Sequence, residues 1–408
     1  MAIEADITMI DSRKNGFKMK PTRSRLFSLG LVVTLIAVIC LISGVLFAAD
    51  HSGGQYLAYV GTYTGPKSKG IYGFRFDPSS GKVEQLGLVA EVANPSFLTL
   101  DRNQQYLYAV SELSGKTHGL VSSFAVNKKS GMLTFLNKVS TIGTVACHLV
   151  VDKTNKMLFV ANYGSGSVAA FRVRSDGTLS ASTAFDQHKG SSVNPRRQKG
   201  PHAHAVVLSA DNRFLFVPDL GLDKIMSYRI DPGQATFTAN DPPFVTVTAG
   251  FGPRHFIFNP NNRYAYDVNE MGSSVTAFSY DAQNGVLHVI QNISTLPKGF
   301  TGVNNSGEIQ IEKAGRFLYA SNRGHDSIAA FAINRKDGKL TKIQTVSTQG
   351  KTPRNFALDP TGRYLFAANQ DSDTIVVFNV DGKTGLLSPT GQTISVPSPV
   401  CIEFARAS

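Results

Sequence analysis

A short phrase returns seven times along this chain and ends each time on an aromatic ring. In most copies a small or polar residue comes first, an aliphatic residue second, and two further residues precede the ring. Successive rings lie 47 to 57 residues apart, at Phe74, Phe124, Phe171, Tyr228, Phe278, Phe331 and Phe378. A repeat of about fifty residues built from short alternating strands is typical of a β-propeller. The chain is therefore predicted to be all-β, with equivalent loops of every repeat gathered around one channel.

Each repeat contains a recognisable hairpin before its ring-bearing strand. Residues 97–101 and 106–110 are the first such pair of strands, and turn-forming Asp, Asn, Pro or Gly residues stand between the strands in the later repeats. One strand, at 56–60, precedes the first ring, and two, near 387–396 and 400–404, follow the last. Joining both ends in one sheet would remove open edges. We therefore predict a seven-bladed β-propeller of four-stranded blades whose last blade is closed by the N-terminal strand.

The N-terminal region differs from the repeats. Residues 1–25 carry six Lys or Arg residues, whereas residues 26–47 contain no charged residue. This pattern is typical of a secretory signal peptide or an uncleaved membrane anchor. We predict a basic region at 1–25, a signal peptide or anchor at 26–49, and the propeller at 50–408. The positive-inside rule places the propeller outside the cytoplasm, in a compartment such as the periplasm, and we expect membrane contact only through the N-terminal segment.

The charge of the chain argues against a nucleic-acid partner. Its net charge is +12, but the basic residues are scattered apart from Arg196, Arg197 and Lys199. Nucleic-acid binding needs a clustered basic stripe. A modestly basic channel mouth instead favours a small anionic or sugar substrate. We expect a monomer that uses no cofactor.

Two loops of each blade are expected to open on the same face of the ring: the residues before the inner strand and those after the second strand. Aligned repeats place an unusual share of ionisable residues at these positions. Repeats built for stability alone would carry small or apolar residues there. The candidates for a functional site are His148, His202, His204, Arg254, His255, Glu270, Glu308, Arg323 and Arg354.

These residue types suit acid–base chemistry on an anion or a carbonyl group. Arginine binds carboxylate or phosphate through two hydrogen bonds and stabilises an oxyanion, while Glu or His activates water. His202 and His204 alternate along a strand, but no set of Asp, Glu or Cys residues with suitable spacing accompanies them, so no metal site is predicted. No Gly-x-Ser-x-Gly elbow is present, which disfavours a covalent serine mechanism.

Several stretches carry a resemblance to a known family, among them KGPHAHAVVLSADNRFLFVPDLGLDKI at 199–225 and GFGPRHFIFNPNNRYAYDVNE at 250–270. Over about residues 55–404 the chain resembles the bacterial lactonase-type seven-bladed propellers, which include one class of 6-phosphogluconolactonase. That family is similar in fold to the fungal carboxy-muconate lactonizing enzymes. The resemblance implies catalytic roles for His204, Arg254, Glu270 and Arg323. The remaining candidates, His148, His202, His255, Glu308 and Arg354, are expected to bind substrate.

The resemblance implies a carboxylic ester hydrolase of carbohydrate metabolism, a lactonase of the 6-phosphogluconolactonase type. Water would attack the carbonyl of a sugar lactone at the channel mouth, with Glu270 or His204 as general base. Because a phosphorylated lactone is made in the cytoplasm, an unphosphorylated aldonolactone fits an exported protein better. A non-catalytic propeller that binds a ligand or protein, and a muconate-type cycloisomerase, are the alternatives.

Overall fold

Seven antiparallel sheets of four strands make up the described part of the protein. The structure is a computed structural model that describes residues 54–115 and 117–408. The predicted basic region at 1–25 and the signal peptide or anchor at 26–49 lie outside the described residues. Within the described ranges, no helix has the length and apolar character needed to cross a membrane.

Six blades are continuous in sequence, and their strands follow chain order from the inner to the outer edge. Blades 1 to 3 consist of β4 (Leu98–Leu100), β5 (Tyr106–Ser111), β6 (His118–Val126), β7 (Leu133–Thr144); β8 (Ala146–Val151), β9 (Met157–Asn162), β10 (Ser167–Val173), β11 (Leu179–Gln187); and β12 (Val207–Leu208), β13 (Phe214–Asp219), β14 (Lys224–Asp231), β15 (Thr236–Thr246). Blades 4 to 6 consist of β16 (Pro253–Phe258), β17 (Tyr264–Asn269), β18 (Ser274–Asp281), β19 (Val286–Ser294); β20 (Asn305–Ile311), β21 (Phe317–Arg323), β22 (Ser327–Ile333), β23 (Leu340–Ser347); and β24 (Pro353–Leu358), β25 (Tyr364–Asn369), β26 (Thr374–Val380), β27 (Leu387–Ser395).

Blade 7 joins the two ends of the propeller and confirms the predicted closure. Its outer three strands are β1 (Tyr56–Thr62), β2 (Gly70–Asp77) and β3 (Lys82–Glu91), and its inner strand is β28 (Pro399–Arg406). The register of β1 on β28 runs from Tyr56 opposite Arg406 to Thr62 opposite Pro399. The inner strand of blade 7, β28, contacts the inner strands of blade 6 (β24) and blade 1 (β4). The ring is therefore closed between the first and last continuous blades.

The hairpin between the first and second strands explains why the repeat recurs so regularly. One turn residue in each hairpin has a left-handed backbone, with φ between 54° and 74° in blades 1 to 6, at Gln104, Asn155, Asn212, Asn262, Gly315 and Gly362. Asn and Gly tolerate this conformation best. In blade 2 the Asp152 carboxylate also accepts backbone hydrogen bonds from Thr154, Lys156 and Met157. The turn chemistry read from the sequence therefore sets the register of each inner pair.

Aromatic rings fill the spaces between blades. All seven rings of the repeated phrase are at most 2% exposed. A second contact fastens neighbouring blades: a left-handed glycine in an outer turn packs directly on a ring of the blade before it. At Gly338, a Cβ atom would lie 2.3 Å from the Tyr264 ring, and Tyr266 donates a hydrogen bond of 2.8 Å to the Gly338 carbonyl. Because larger residues do not fit, these glycines fix the spacing between blades.

A buried carboxyl group interrupts the apolar pattern of this core. Asp267 on β17 is 0% exposed, and neither carboxyl oxygen has a hydrogen-bond partner among the described residues. The equivalent positions in five other blades hold Ala109, Val160, Val217, Ala320 and Ala367. Burial raises the pKa of Asp267 well above its usual value, so the folded protein holds this carboxyl as the neutral acid.

We predict that Asp267→Val stabilises the fold at pH 7 by about 1–3 kcal/mol, since it removes a buried polar group that lacks partners. The gain should be smaller at pH 4. The unfolded carboxyl ionises above about pH 4 while the folded one stays protonated, so the cost of Asp267 grows as pH rises. Thermal unfolding at both pH values measures this. Val217→Asp, the reverse change in blade 3, should destabilise, and a lower melting temperature of Asp267→Val at both pH values would refute the idea.

Candidate active site

A cavity of about 210 Å³ opens at one mouth of the channel, and all seven blades or their flanking loops supply residues to its lining. It is lined by Tyr63, Glu112, Cys147, Tyr163, Arg197, His204, Glu270, Arg323 and Arg354. Four of the sequence-predicted candidates, His204, Glu270, Arg323 and Arg354, are among these residues. The remaining candidates lie behind or beneath this cavity.

Glu270 follows β17 directly and is the centre of the charged cluster. Its Oε2 accepts hydrogen bonds from Arg254 Nε at 3.0 Å and from Arg323 Nη2 at 2.8 Å. Its Oε1 accepts one from Arg197 Nη2 at 2.6 Å. Three guanidinium groups, from blade 4, blade 5 and the loop between blades 2 and 3, therefore surround one carboxylate.

The cations control the ionisation of Glu270. Burial alone would raise the pKa of this carboxyl, but the positive charges of Arg323 and Arg254, together with the hydrogen bond from Arg197, outweigh burial and hold the pKa well below its usual value. Glu270 is consequently a carboxylate at any pH at which the protein is expected to work. A carboxylate stabilised to this degree is a weak base.

A β-bulge places Arg254 behind Glu270. The pairing of β16 with β17 shifts register between Pro253 and His255, so Arg254 occupies an extra position in the inner strand. Its side chain is 2% exposed and also donates from Nη1 to the Gly307 carbonyl at 2.7 Å. Arg254 therefore contacts Glu270 from the protein side and does not line the cavity.

His204 is the histidine that reaches the cavity. Its Nε2 lies 3.8 Å from Glu270 Oε2, and its Nδ1 lies 3.9 Å from the Cys147 sulfur. Burial and, next, the positive charge of Arg254 lower the pKa of His204 well below its usual value, so the ring is neutral. His202, two residues earlier, stacks on the Tyr163 ring at 4.5 Å instead and contacts the Tyr163 carbonyl through Nδ1 at 2.8 Å.

Arg354 and Glu112 line the cavity together with Tyr63. The Tyr63 hydroxyl donates to Glu112 at 2.9 Å, and the Arg354 guanidinium lies 5.2 Å from the centre of the Tyr63 ring. Arg354 Nη2 is 4.0 Å from Glu112 Oε2, which is too long for a hydrogen bond. The donors of Arg354 are therefore available to a ligand in the cavity.

Three other candidates form a second layer beneath the cavity. His255 Nδ1 lies 3.2 Å from Glu308, whose carboxylate also accepts from Asn355 at 2.5 Å. His148 stacks on Phe97 at 3.9 Å and meets the His255 ring edge-on at 5.1 Å. Burial raises the pKa of Glu308 and lowers the pKa values of both histidines well below their usual range. All three side chains are buried and outside the cavity lining. This geometry therefore does not bring them into contact with a substrate in the cavity.

No group of three or more His, Cys, Asp or Glu residues in ranges 54–115 and 117–408 is arranged to hold a metal ion. The polar groups of the cavity are instead guanidinium, carboxylate and phenol groups, with one imidazole and one thiol. Such a set can bind an anion, stabilise an oxyanion and move a proton.

Comparison with known proteins agrees with this architecture. Residues 57–404 match the family described as "Lactonase, 7-bladed beta-propeller". A 6-phosphogluconolactonase of Bacillus subtilis is 37% identical over 350 residues, which cover 86% of this chain and 98% of the relative. The solved structure of the Pseudomonas aeruginosa periplasmic gluconolactonase PpgL is 38% identical, with a TM-score of 0.82, and the match covers 87% of this chain and 100% of that one.

This chain belongs to the lactonase family of seven-bladed β-propellers. The resemblance read from the sequence is thereby confirmed. The lactonase-family chain is also 36% identical over 306 residues to a 6-phosphogluconolactonase of Formosa agariphila, a match that covers 74% of this chain and 86% of the relative.

Sequence reasoning missed five residues that line the cavity of this lactonase: Tyr63, Glu112, Cys147, Tyr163 and Arg197. Tyr63, Glu112 and Tyr163 directly follow the second strands of their blades, which is one of the two loop positions expected to face the channel mouth. Arg197 lies in the insertion that makes the spacing between Phe171 and Tyr228 the longest of the series. That extra length was the one signal in the sequence for a loop that reaches the mouth.

A buried polar chain supports the loop that carries His204 in the lactonase. Asp219 Oδ2 lies 2.6 Å from His188 Nδ1, and its Oδ1 accepts the His202 backbone N–H at 2.7 Å. Tyr228 donates to Asp186 at 2.6 Å, and its oxygen lies 2.9 Å from His188 Nε2. His188 is therefore held between Asp219 and Tyr228 inside the fold.

We predict that Asp219→Asn destabilises this lactonase by about 1–3 kcal/mol, because it removes the buried carboxylate that contacts His188 Nδ1. Asn occupies the equivalent position as Asn162, Asn269, Asn322 and Asn369, so the substitution keeps the local turn and tests the charge alone. Urea unfolding at pH 7 measures the change. The double variant with His188→Gln should recover part of the loss, and equal stability of Asp219→Asn and the native chain would contradict this pairing.

Proposed function

We propose that the protein hydrolyses a sugar lactone at the channel mouth, with Glu270 as general base and Arg323 and Arg354 as the groups that hold the substrate's oxygen atoms. The observation that supports this most directly is the asymmetry of Glu270. Its Oε2 is bound by the buried Arg254 and by Arg323, whereas its Oε1 contacts only the partly exposed Arg197 among the described residues. Oε2 is thus fixed by two guanidinium groups, whereas Oε1 is the oxygen that is left to act on the cavity side.

The proposed reaction follows from this arrangement. Water attacks the lactone carbonyl carbon while Glu270 Oε1 takes one of its protons. Negative charge develops on the former carbonyl oxygen, where a guanidinium donor stabilises it. The carbon–oxygen bond of the ring then breaks, the ring oxygen receives the proton from Glu270, and the product is a hydroxy acid. Arg254 acts as a positioning residue, since it holds Glu270 and does not line the cavity.

The charges of the cavity define the substrate class. Arg197, Arg323 and Arg354 face Glu112 and Glu270, and Arg254 adds a further positive charge behind the wall. The surplus of positive charge favours a substrate rich in oxygen atoms that becomes an anion when its ring opens. An aldonolactone fits this description, and a phosphate on it would meet the free donors of Arg354.

Location and domain organisation are part of the proposal. The charge-free segment at 26–47 after a basic region supports export, and the solved relative is named a periplasmic gluconolactonase. We propose a basic region at 1–25, a signal peptide or anchor at 26–49, and a monomeric lactonase propeller at 50–408 outside the cytoplasm. In that compartment an unphosphorylated aldonolactone is the favoured substrate. The second layer of His148, His255 and Glu308 would support the floor of the site, with no contact to substrate.

We predict that Glu270→Gln and Arg323→Ala each lower kcat for glucono-δ-lactone by about 10²–10³-fold, since one removes the base and the other an oxyanion donor. A pH-stat titration of the full chain at pH 6.5 measures the acid released above the spontaneous rate. Glu84→Gln and Arg316→Ala, which make the same chemical changes far from the cavity, should retain native kcat. Native rates for Glu270→Gln with an intact fold would remove this mechanism.

We predict that Arg354→Ala lowers activity on a phosphorylated lactone more than activity on an unphosphorylated one. A charge-assisted hydrogen bond contributes about 1.5–3 kcal/mol, so the ratio of kcat/KM for 6-phosphogluconolactone to that for glucono-δ-lactone should fall by roughly tenfold or more. The two lactones are compared in the same titration. An unchanged ratio would show that Arg354 does not meet the phosphate.

A further inference from the structure

The loop between blades 2 and 3 crosses the edge of the cavity as an ordered strap, defined here as residues 188–201. Its backbone is tied internally, because Gln198 accepts the Asn194 N–H through Oε1 at 2.9 Å and donates to the Leu220 carbonyl at 2.8 Å. Ser192 fastens the strap to blade 3 through a hydrogen bond of 2.5 Å to Asp223. The strap therefore presents Arg197 from a fixed backbone.

Arg197 differs from the other two arginines that bind Glu270. Its side chain is 38% exposed, whereas those of Arg254 and Arg323 are 2% and 13% exposed. Arg197 also makes its second contact with a neutral group, the Tyr163 hydroxyl, at 3.1 Å. A rotation of its long side chain breaks both contacts without moving the strap, while release of Arg254 would require rearrangement of the inner strand.

The groups packed around Glu270, called its cage here, oppose the role of general base that is proposed for it. The groups that face this carboxylate are Arg254 from β16, Arg323 from β21, Arg197 from the strap and His204 from the segment before β12, with Arg354 and His255 farther away. The close neighbours are three guanidinium groups and a neutral imidazole, and the guanidinium groups hold the pKa of Glu270 well below its usual value. A base needs an affinity for protons that this cage suppresses.

We propose that Arg197 is a removable counter-ion: it neutralises Glu270 Oε1 in the empty site, and a bound lactone draws its guanidinium onto the substrate's own oxygen atoms. This inference rests on the proposed function and assigns a role to a residue outside the repeat pattern. Substrate binding thereby frees Oε1 and strengthens Glu270 as a base at the moment when water must be deprotonated. The proton moves from water to Oε1 and then to the ring oxygen, so the counter-ion itself neither gains nor loses a proton.

The pH dependence of the two kinetic constants tests this role. The acid limb of kcat/KM reports ionisation in the free enzyme, and that of kcat reports the substrate complex. In the native enzyme the kcat limb should lie at higher pH than the kcat/KM limb, by about one unit, because a close cation lowers a carboxyl pKa by roughly one to three units. In Arg197→Ala the kcat/KM limb should move up by about one unit and meet the kcat limb. Glucono-δ-lactone is the probe for both.

Arg196→Ala is the matched control, because it removes the same charge from an exposed neighbour on the same strap. It should leave both limbs in place. Arg197→Lys should restore much of the native separation, since the positive charge returns. Infrared difference spectra against Glu270→Gln titrate the Glu270 carboxyl without substrate, and its pKa should rise in Arg197→Ala.

The outcomes separate this inference from the proposed function. If Glu270→Gln loses activity while Arg197→Ala shifts neither the limbs nor the infrared titration, Arg197 is not a counter-ion and the lactonase mechanism stands. A higher KM for Arg197→Ala with unmoved limbs would make it a simple substrate-binding residue. Native activity of Glu270→Gln overturns both proposals.

Discussion

The pairing of the C-terminal strand with the N-terminal strand is the constraint on which the site depends. Blade 7 exists only when Pro399–Arg406 lies against Tyr56–Thr62. The groups around Glu270 come from strands and loops that are far apart in sequence, and they meet only while the ring is closed. Aromatic rings and close-packed glycines then fix the packing of neighbouring blades. Local hairpins supply the strands, and closure supplies the geometry.

The cage around Glu270 fixes the position of this carboxylate but lowers its strength as a base. A buried carboxylate needs cations and donors to remain charged, and Arg254 and Arg323 provide them from two blades. The same cations reduce its proton affinity. An exposed guanidinium on a separate loop is a physical way to relieve this conflict, because it can leave the carboxylate when a substrate offers oxygen acceptors. The division between fixed and movable arginines matches their exposure.

Much of the architecture could be predicted from the chain because the repeat is local. Each ring-bearing phrase, such as residues 274–278, predicts one strand, and each turn that contains Asn or Gly predicts one hairpin. The convergence of His204, Glu270 and Arg323 followed from their equivalent places in different repeats. It was harder to predict how far each candidate side chain lies from the cavity. Bulges between Ala146 and His148, Pro253 and His255, and Ser306 and Ile309 re-aim the inner-strand residues, and a shift of one residue decides whether a side chain reaches the cavity or the layer beneath it.

The sequence by itself determined the number of blades, the position of their turns and the face on which the charged residues collect, since these follow from strand alternation and turn conformation within about ten residues. Only the tertiary structure decided which charges neutralise each other. Arg197 and Glu270 are far apart along the chain and 2.6 Å apart in space, and Arg197 belongs to an insertion that no repeat predicts. Electrostatic energy depends on distances and burial across blades, and these exist only after the ring has closed.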